Sequence, residues 1–253
     1  MHNILFKIGN LTITGYGTMI AIGFLSAILL TTYRARKNNL SADFIYDLAF
    51  SAIIGGILGA KLLYIIVNIK EYIANPSLFL DIKHGFVVYG GIIGGIFTCL
   101  LTCKVKKQSF WDYFDLVMPS VFIAQGFGRI GCLLAGCCYG MEYDGIFSIT
   151  FKNSSFAPNN IGLFPSQIFS SLYDFMSGIL LLILYNKLKN RNKGFIAGMY
   201  LILYGVGRFI IEFFRGDLAR GFILALSTSQ FISIFVTISG IIILLLSKKK
   251  VIK

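Results

Sequence analysis

The chain has 253 residues, of which 56% are hydrophobic and only 13% are charged, and its formal net charge is +12. Soluble domains carry about 25% charged residues, so this composition excludes a water-soluble fold. The positive charge does not indicate nucleic-acid binding, because the basic residues lie between apolar segments, where topology signals are found, and form no patch. The composition therefore predicts an integral membrane protein.

Seven apolar segments are long enough to cross a bilayer as helices, since about 20 apolar residues span the hydrocarbon core. They lie at about 14–33, 44–67, 86–103, 112–133, 168–186, 195–214 and 229–247. The first segment lacks the basic start and the cleavage site of a signal peptide, so we expect it to be retained. We predict an all-α integral membrane fold with seven transmembrane helices in one domain, residues 1–253.

The basic residues are divided unequally between the odd-numbered and the even-numbered links that join the predicted helices. The first, third and fifth links and the C-terminal tail contain Arg34, Arg36, Lys37, Lys104, Lys106, Lys107, Lys187, Lys189, Arg191, Lys193, Lys248, Lys249, Lys250 and Lys253. The other segments outside the helices contain only Lys7, Lys70, Lys83, Lys152, Arg215 and Arg220. Cytoplasmic loops are enriched in Lys and Arg, so this imbalance predicts an external N-terminus and a cytoplasmic C-terminus.

The longest segment without a helical pattern covers about 134–167 and is rich in Gly and Asn, which favour turns. Apolar and polar residues alternate over 146–151, which indicates a short strand. We expect this segment to form a small cap on the outer side.

Three basic residues lie inside the predicted helices: Lys61, Arg129 and Arg208. A charge at mid-bilayer costs about 2.5–3.5 kcal/mol, so each of them is a candidate functional residue. The long side chain of Lys61 can extend to the interface. Arg129 and Arg208 both lie on outward-running helices, within about one to two turns of the outer interface.

Arg208, Glu212 and Arg215 are spaced four and three residues apart, which places them on one helix face. A structural Arg208–Glu212 pair that neutralises itself is one interpretation. Because Arg215 leaves the face net positive and Arg129 adds a further cation, we favour an anion-binding site near the outer surface.

Other polar residues and glycines occur at the same ends of the helices, including Tyr16, Tyr89 and Gln167. Glycine pairs in membrane helices usually allow close packing, and we expect this role for Gly94 and Gly95. For the glycines flanking Tyr89 and Arg129, packing and room for a ligand are equally good interpretations.

Three of the five cysteines, Cys132, Cys137 and Cys138, are close in sequence. Adjacent cysteines rarely bridge each other, and a metal site would need a fourth ligand that the two histidines, His2 and His84, do not obviously supply. We therefore do not expect a metal site at these cysteines. Cys99 and Cys103, in the third helix, are better explained by apolar packing.

Two other functions stay open on the residues alone. The three thiols are compatible with a membrane thiol oxidoreductase, although the chain has no C-x-x-C pair. A transporter of an anionic metabolite would need a polar path through the cytoplasmic half, for which Lys61 is the one candidate.

Several motifs together resemble bacterial prolipoprotein diacylglyceryl transferases. The motifs are Tyr16-Gly17, Tyr89–Gly94, Gly128–Gly131 with Gly136 and Gly140 following, Pro165–Gln167, Tyr204-Gly205, Arg208–Asp217 and Leu226–Gln230. They occur in order and with compatible spacing over nearly the whole chain, and the arginine-bearing segments are the most specific.

The resemblance implies a multi-pass enzyme of the bacterial cytoplasmic (inner) membrane that works without a cofactor. Such an enzyme transfers the diacylglyceryl group of phosphatidylglycerol to the lipobox cysteine thiol of a prolipoprotein, forms a thioether and releases glycerol phosphate. Its partners would be phosphatidylglycerol, the lipobox peptide and membrane lipid. The residues expected to act are Arg129, Arg208 and Tyr89 in catalysis, and Arg129, Arg208, Tyr16, Gln167, Glu212, Gly136 and Gly140 in substrate binding.

The chain departs from the commoner pattern of that family at four polar positions. Many members have His, Asn, an acid and His where this chain has Tyr89, Cys132, Cys137 and Phe164. A phenol is a weak base at neutral pH, so we expect Tyr89 to donate a hydrogen bond to the phosphate or glycerol.

Overall fold

A computed structural model describes residues 4–9, 11–80, 85–188, 190–217, 221–223 and 225–247. The chain divides into two compact units, which we call the large unit (Met1–Thr31 and Trp111–Lys253) and the small unit (Thr32–Phe110). Several residues used above lie outside the described part: His2, Lys83, His84, Lys189, Arg220, Lys248, Lys249, Lys250 and Lys253.

Eight α-helices account for most of the described residues. They are α1 (Gly15–Lys37), α2 (Asp43–Val67), α3 (Ile69–Ala74), α4 (Val88–Val105), α5 (Phe110–Ala135), α6 (Ser166–Lys187), α7 (Phe195–Ile211) and α8 (Thr228–Leu246). Two short 3-10 helices cover Pro76–Leu80 and Glu212–Phe214, the second continuing directly from α7. All the α-helices except the short α3 are long and apolar enough to cross a membrane, α7 together with the 3-10 helix that continues it to Phe214, which confirms the seven predicted spans within a few residues at each end.

Among the described residues, short strands form three two-stranded antiparallel sheets, of which the sequence predicted only a strand over 146–151. Their strands are β1 (Ile4–Ile8) with β2 (Leu11–Thr14), β3 (Ile149–Thr150) with β4 (Gly162–Leu163), and β5 (Phe222–Ile223) with β6 (Leu226–Ser227). The fold is therefore mostly helical, with an N-terminal hairpin directly before α1. The strand predicted over 146–151 is present only as β3, because the chain turns just before it, where the Ser148 N–H donates to the Gly145 carbonyl at 2.9 Å.

In the small unit, α2 and α4 pack as an antiparallel pair through glycines that face each other. Gly55 lies against Gly94 and Gly59 against Gly90, so that a Cβ added at Gly59 would be only 2.9 Å from Gly94 Cα. Small residues let membrane helices approach this closely and gain packing contacts along their length. The packing role expected of Gly94 is confirmed, and Gly90, beside Tyr89, also packs against α2.

Polar side chains add hydrogen bonds between α2 and α4. The Thr98 hydroxyl donates to the Ser51 carbonyl at 2.8 Å, and the Ser51 and Thr102 hydroxyls are 2.7 Å apart. The Cys99 thiol donates to the Leu48 carbonyl at 3.6 Å, in keeping with the structural role expected of this cysteine. Intramembrane hydroxyls find partners on the neighbouring helix because lipid offers none.

In the large unit, α7 and α8 approach closely at Gly198 and Gly240, where a Cβ added at Gly240 would lie 2.7 Å from the Gly198 carbonyl oxygen. Helix α6 is tied to α5 by the Ser171 hydroxyl, which donates to the Gly126 carbonyl at 3.0 Å. It is tied to α7 by the Tyr173 hydroxyl, which donates to a carbonyl at 2.6 Å. These contacts fix the three helices that carry the buried charges.

The N-terminus of α7 is held by a carboxylate on α5. Asp115, only 3% exposed, accepts hydrogen bonds from the Gly194 and Ala197 N–H groups, both at 2.9 Å. The first N–H groups of a helix have no partner within the helix, and a negative charge there also offsets the helix dipole. Asp115 therefore fixes where α7 starts, and with it the position of Arg208 near its other end.

Candidate active site

Arg208 lies in the last turn of α7 and is held on two sides. Its Nη2 is 3.0 Å from Oε2 of Glu212, one turn further along the chain, and donates to the Ser229 hydroxyl at 2.9 Å. The pair predicted from the four-residue spacing is thus confirmed. Glu212 is only 4% exposed, so the pair is largely shielded from solvent.

Glu212 is in turn joined to the N-terminus of α8. The Ser227 hydroxyl donates to Oε1 of Glu212 at 3.0 Å. The same hydroxyl accepts from the Gln230 N–H at 3.1 Å, while the Ser227 N–H donates to Oε1 of Gln230 at 3.1 Å, forming a capping box. The charge pair on α7 and the cap of α8 therefore form one hydrogen-bonded network.

Arg215 does not share this helix face, contrary to the sequence prediction. Helix α7 ends at Ile211, and by Arg215 the backbone is extended, with φ −86° and ψ 139°. The Arg215 guanidinium instead forms a two-pronged pair with Asp217, in which Nε donates to Oδ1 at 2.9 Å. The prediction of a net positive stripe was wrong, because Arg215 leaves the face and is neutralised by its own partner.

Arg129 lies on α5, with its Nε 3.8 Å from Oδ2 of Asp174 on α6. This distance is an ion pair without a hydrogen bond. Asp174 also interacts electrostatically with Arg208, and the two arginines interact with each other and with Tyr204. The structure therefore brings both predicted arginines together within the large unit, in what we call the arginine cluster: Arg129, Asp174, Arg208 and Glu212.

Asp174 was missed in the sequence. A carboxylate inside a predicted membrane helix is as costly as a buried arginine, so the same argument identifies Asp174 from the sequence as a candidate functional residue. Its presence changes the charge of the site, because the two carboxylates of the arginine cluster formally balance its two guanidinium groups.

Three thiols meet where α5 ends. The Sγ atoms of Cys132, Cys137 and Cys138 all lie within 4.8 Å of one another, and we call this group the thiol cluster. All are free thiols. Tyr16, at the start of α1, interacts electrostatically with all three thiols and with Arg129, which places the thiol cluster beside the arginine cluster.

The backbone of the thiol segment is held by the first turn of α6. Gln167 Nε2 donates to the Cys137 carbonyl and the Ser166 hydroxyl donates to the Cys138 carbonyl, both at 2.9 Å. Gln167 is only 2% exposed. Its observed role is thus to fix the thiol segment.

Gly136 and Gly140 are required by the backbone of this segment. Gly136 has a φ of +73°, in the left-handed region that favours glycine. Gly140 forms an antiparallel bridge with Arg215, and a Cβ added there would come within 2.8 Å of Phe164 Cβ. The two glycines thus let the thiol segment lie against the chain that follows α7.

The remaining predicted positions differ in their surroundings. Tyr89, in the small unit, is 42% exposed, and its catalytic role stays a prediction. Beside Arg129, a Cβ added at Gly128 would meet no atom within 4 Å, so this glycine borders open space. Lys61, also in the small unit, lies over aromatic rings, 5.7 Å from the ring centre of Phe86, an arrangement that stabilises a cation.

Comparison with known proteins identifies the family. A family profile described as prolipoprotein diacylglyceryl transferase matches residues 3–246. The phosphatidylglycerol–prolipoprotein diacylglyceryl transferase of Clostridium tetani (strain Massachusetts / E88) is 50% identical over 96% of this chain and 96% of its own length. Two proteins of Clostridium perfringens (strain 13 / Type A), named phosphatidylglycerol–prolipoprotein diacylglyceryl transferase 2 and 1, are 45% and 32% identical, each over 99% of this chain and 97% of its own length. The chain therefore belongs to the prolipoprotein diacylglyceryl transferase family.

Proposed function

We propose that this protein transfers the diacylglyceryl group of phosphatidylglycerol to the lipobox cysteine thiol of prolipoproteins, as a multi-pass enzyme of the bacterial cytoplasmic (inner) membrane. The product is a thioether, and glycerol phosphate is released. Beyond family membership, the observation that carries this proposal is the presence of Arg129 and Arg208 in one cluster of the large unit. Two guanidinium groups suit a lipid phosphate better than they suit any neutral solute.

Each arginine is positioned to offer donors to a phosphate. Arg208 is oriented by Glu212 and Ser229, both within 3.0 Å of its Nη2. The Arg129 side chain is 24% exposed, and its 3.8 Å ion pair with Asp174 uses no hydrogen bond. Arg129 can therefore share its charge between Asp174 and an incoming phosphate.

The arginines also act on the leaving group. The thiol sulfur attacks the glycerol carbon bonded to the phosphate oxygen; the C–S bond forms, both electrons of the broken C–O bond leave with the phosphate, and the thiol proton passes to water. Glycerol phosphate departs with one more negative charge than the phosphodiester carried. Donors aimed at such developing charge contribute strongly, and the loss of one typically costs about 3–4 kcal/mol.

The other residues of the proposed site have supporting roles. Glu212 orients Arg208, while Gln167, Gly136 and Gly140 shape the backbone around the thiol cluster. Tyr16 lines the lipid cavity, and the catalytic role of Tyr89 stays a prediction. The distribution of Lys and Arg supports an external N-terminus and a cytoplasmic C-terminus, which would place the arginines in the outer leaflet.

The test is transfer by the purified protein from labelled phosphatidylglycerol to a lipobox peptide, followed by mass spectrometry of the peptide. We expect a diacylglyceryl mass shift that is lost in Arg129→Ala and Arg208→Ala. Arg36→Ala, which removes an exposed arginine at the end of α1, is the matched control and should transfer normally. No mass shift with the intact protein would overturn the proposal, and mixed disulfides at the cysteines would favour an oxidoreductase instead.

A further inference from the structure

The thiol cluster has the dimensions of a metal site. A zinc ion bound by thiolates has Zn–S bonds of about 2.3 Å, so tetrahedral geometry separates its sulfurs by about 3.8 Å. The Sγ atoms of Cys132, Cys137 and Cys138 all lie within 4.8 Å of one another and carry no disulfide. The three sulfurs thus lie close to the separation that a shared zinc ion requires.

The backbone brings two adjacent cysteines to the same side. Neighbouring side chains of an extended strand point in opposite directions. Cys138 instead has a φ of +55°, and Gly136 a φ of +73°, so the chain turns sharply after α5. Gln167 and Ser166 hold this turn by donating to the carbonyls of Cys137 and Cys138, each at 2.9 Å.

The surroundings of the cluster compensate negative charge. Arg129 interacts electrostatically with Cys132 and Cys138, and Arg215 with Cys138. Three thiolates and a divalent ion carry a net charge of about −1, and these two guanidinium groups attract it even though each is also paired with a carboxylate, Asp174 or Asp217. Both histidines, His2 and His84, lie outside the described residues. Among the described residues, therefore, no imidazole is available as a further ligand.

We propose that Cys132, Cys137 and Cys138 bind a zinc ion through three thiolates, and that the acceptor thiol of the substrate supplies the fourth ligand. Catalytic zinc sites typically have three protein ligands and an open position. The expectation of no metal site assumed four ligands from the chain itself, and an open position removes that requirement. Cys132 is buried, while Cys137 and Cys138 are half-buried, which leaves one side of the cluster accessible.

The assignment of the substrate thiol as the fourth zinc ligand rests on the proposed transferase function. A thiol that binds zinc releases its proton, to water in this scheme, and becomes a thiolate, which is the nucleophilic form. The bound sulfur then attacks the glycerol carbon; the C–S bond forms, and both electrons of the broken C–O bond leave with glycerol phosphate. Zinc stays divalent throughout, and the thioether product, a weaker ligand, dissociates.

Cobalt substitution tests the site without relying on activity. The full-length protein in detergent, stripped with a chelator and titrated with Co²⁺, should bind about one ion per chain and show thiolate-to-cobalt absorption in the near ultraviolet. Cys137→Ser and Cys138→Ser should lose this absorption, whereas Cys99→Ser, a control on α4, should keep it. Lack of the absorption, or its survival in both serine variants, overturns the metal site.

Two lipobox peptides test the fourth ligand. A peptide with the acceptor cysteine should strengthen the thiolate absorption of the cobalt protein, and the same peptide with serine should not. Equal spectra with both peptides overturn the assignment of the substrate thiol as ligand.

Transfer assays separate this inference from the proposed function. The stripped protein should transfer at least about tenfold more slowly, and Zn²⁺ should restore the rate. Full transfer by verified metal-free protein overturns the role of zinc and leaves the transferase function standing. No transfer in either state counts against the transferase function, while the cobalt spectrum still decides the metal site.

Discussion

Glu212 holds Arg208 from one helical turn further along the chain, with 3.0 Å between Oε2 of the carboxylate and Nη2 of the guanidinium. The other carboxylate oxygen accepts from the Ser227 hydroxyl at the start of α8, also at 3.0 Å. Glu212 is therefore fixed by one helix while it orients an arginine on another. This arrangement makes the position of Arg208 depend on the contact between the two helices.

Glu212→Gln tests the positioning role of this carboxylate, because it preserves size and removes charge. The substitution removes the charge that pairs with Arg208 but keeps an acceptor for Ser227, so kcat/KM for lipid transfer should fall roughly tenfold to a hundredfold. The thermal unfolding temperature should be measured on the same samples, to separate positioning from general destabilisation. Glu71→Gln, on the exposed surface of α3, is the control, and equal activity of the two variants would remove the assigned role.

Arg208→Lys tests whether phosphate binding requires two parallel hydrogen bonds from one guanidinium group. An ammonium group retains the charge but cannot donate two parallel hydrogen bonds from a planar fork. We expect the loss of about 3 kcal/mol of transition-state stabilisation, so the transfer rate in the mass-spectrometric assay should fall roughly a hundredfold. Arg36→Lys should be unaffected. Full activity of Arg208→Lys would show that charge alone is sufficient.

Features set by neighbouring residues in the sequence could be predicted, whereas features set by contacts between distant segments could not. The spans follow from the length and hydropathy of each segment, and the Arg208–Glu212 pair follows from helical spacing alone. The departure of Arg215 could not be derived, because α7 ends where residues far away in sequence pair with the chain: the Met141 N–H donates to the Phe214 carbonyl at 2.9 Å. A tertiary contact decided the helix end, and the spacing rule applied only up to it.

The thiol cluster illustrates the same limit. Cys137 and Cys138 are adjacent in sequence, but their approach to Cys132 depends on two left-handed residues and on side chains of α6. Asp174, by contrast, was within reach of the argument from sequence, since an intramembrane carboxylate needs a partner wherever it lies.

Asp115→Ala tests the cap that positions α7. The substitution leaves the buried Gly194 and Ala197 N–H groups without their acceptor, which should cost about 2–3 kcal/mol of unfolding free energy. For a chain of this size that corresponds to roughly 4–12 °C in the unfolding temperature, measured in detergent. Asp112→Ala removes a more exposed ion pair with Lys193 and should cost less than about 1 kcal/mol. Equal shifts in the two variants would contradict the capping role.

Gly94→Ala and Gly95→Ala, neighbours on α4, test the packing of the small unit. A Cβ at Gly94 would lie 2.9 Å from Gly59 Cα and would also collide with the Gly55 carbonyl, whereas at Gly95 the nearest atom is at 3.4 Å. Backbone atoms cannot rotate aside, so Gly94→Ala must separate the helices and should cost about 1–3 kcal/mol. Gly95→Ala meets ordinary contacts and should be neutral or stabilising by up to about 1 kcal/mol, since alanine favours the helix. Thermal unfolding of both variants decides the matter: equal unfolding temperatures would mean that the two helices do not meet at Gly94.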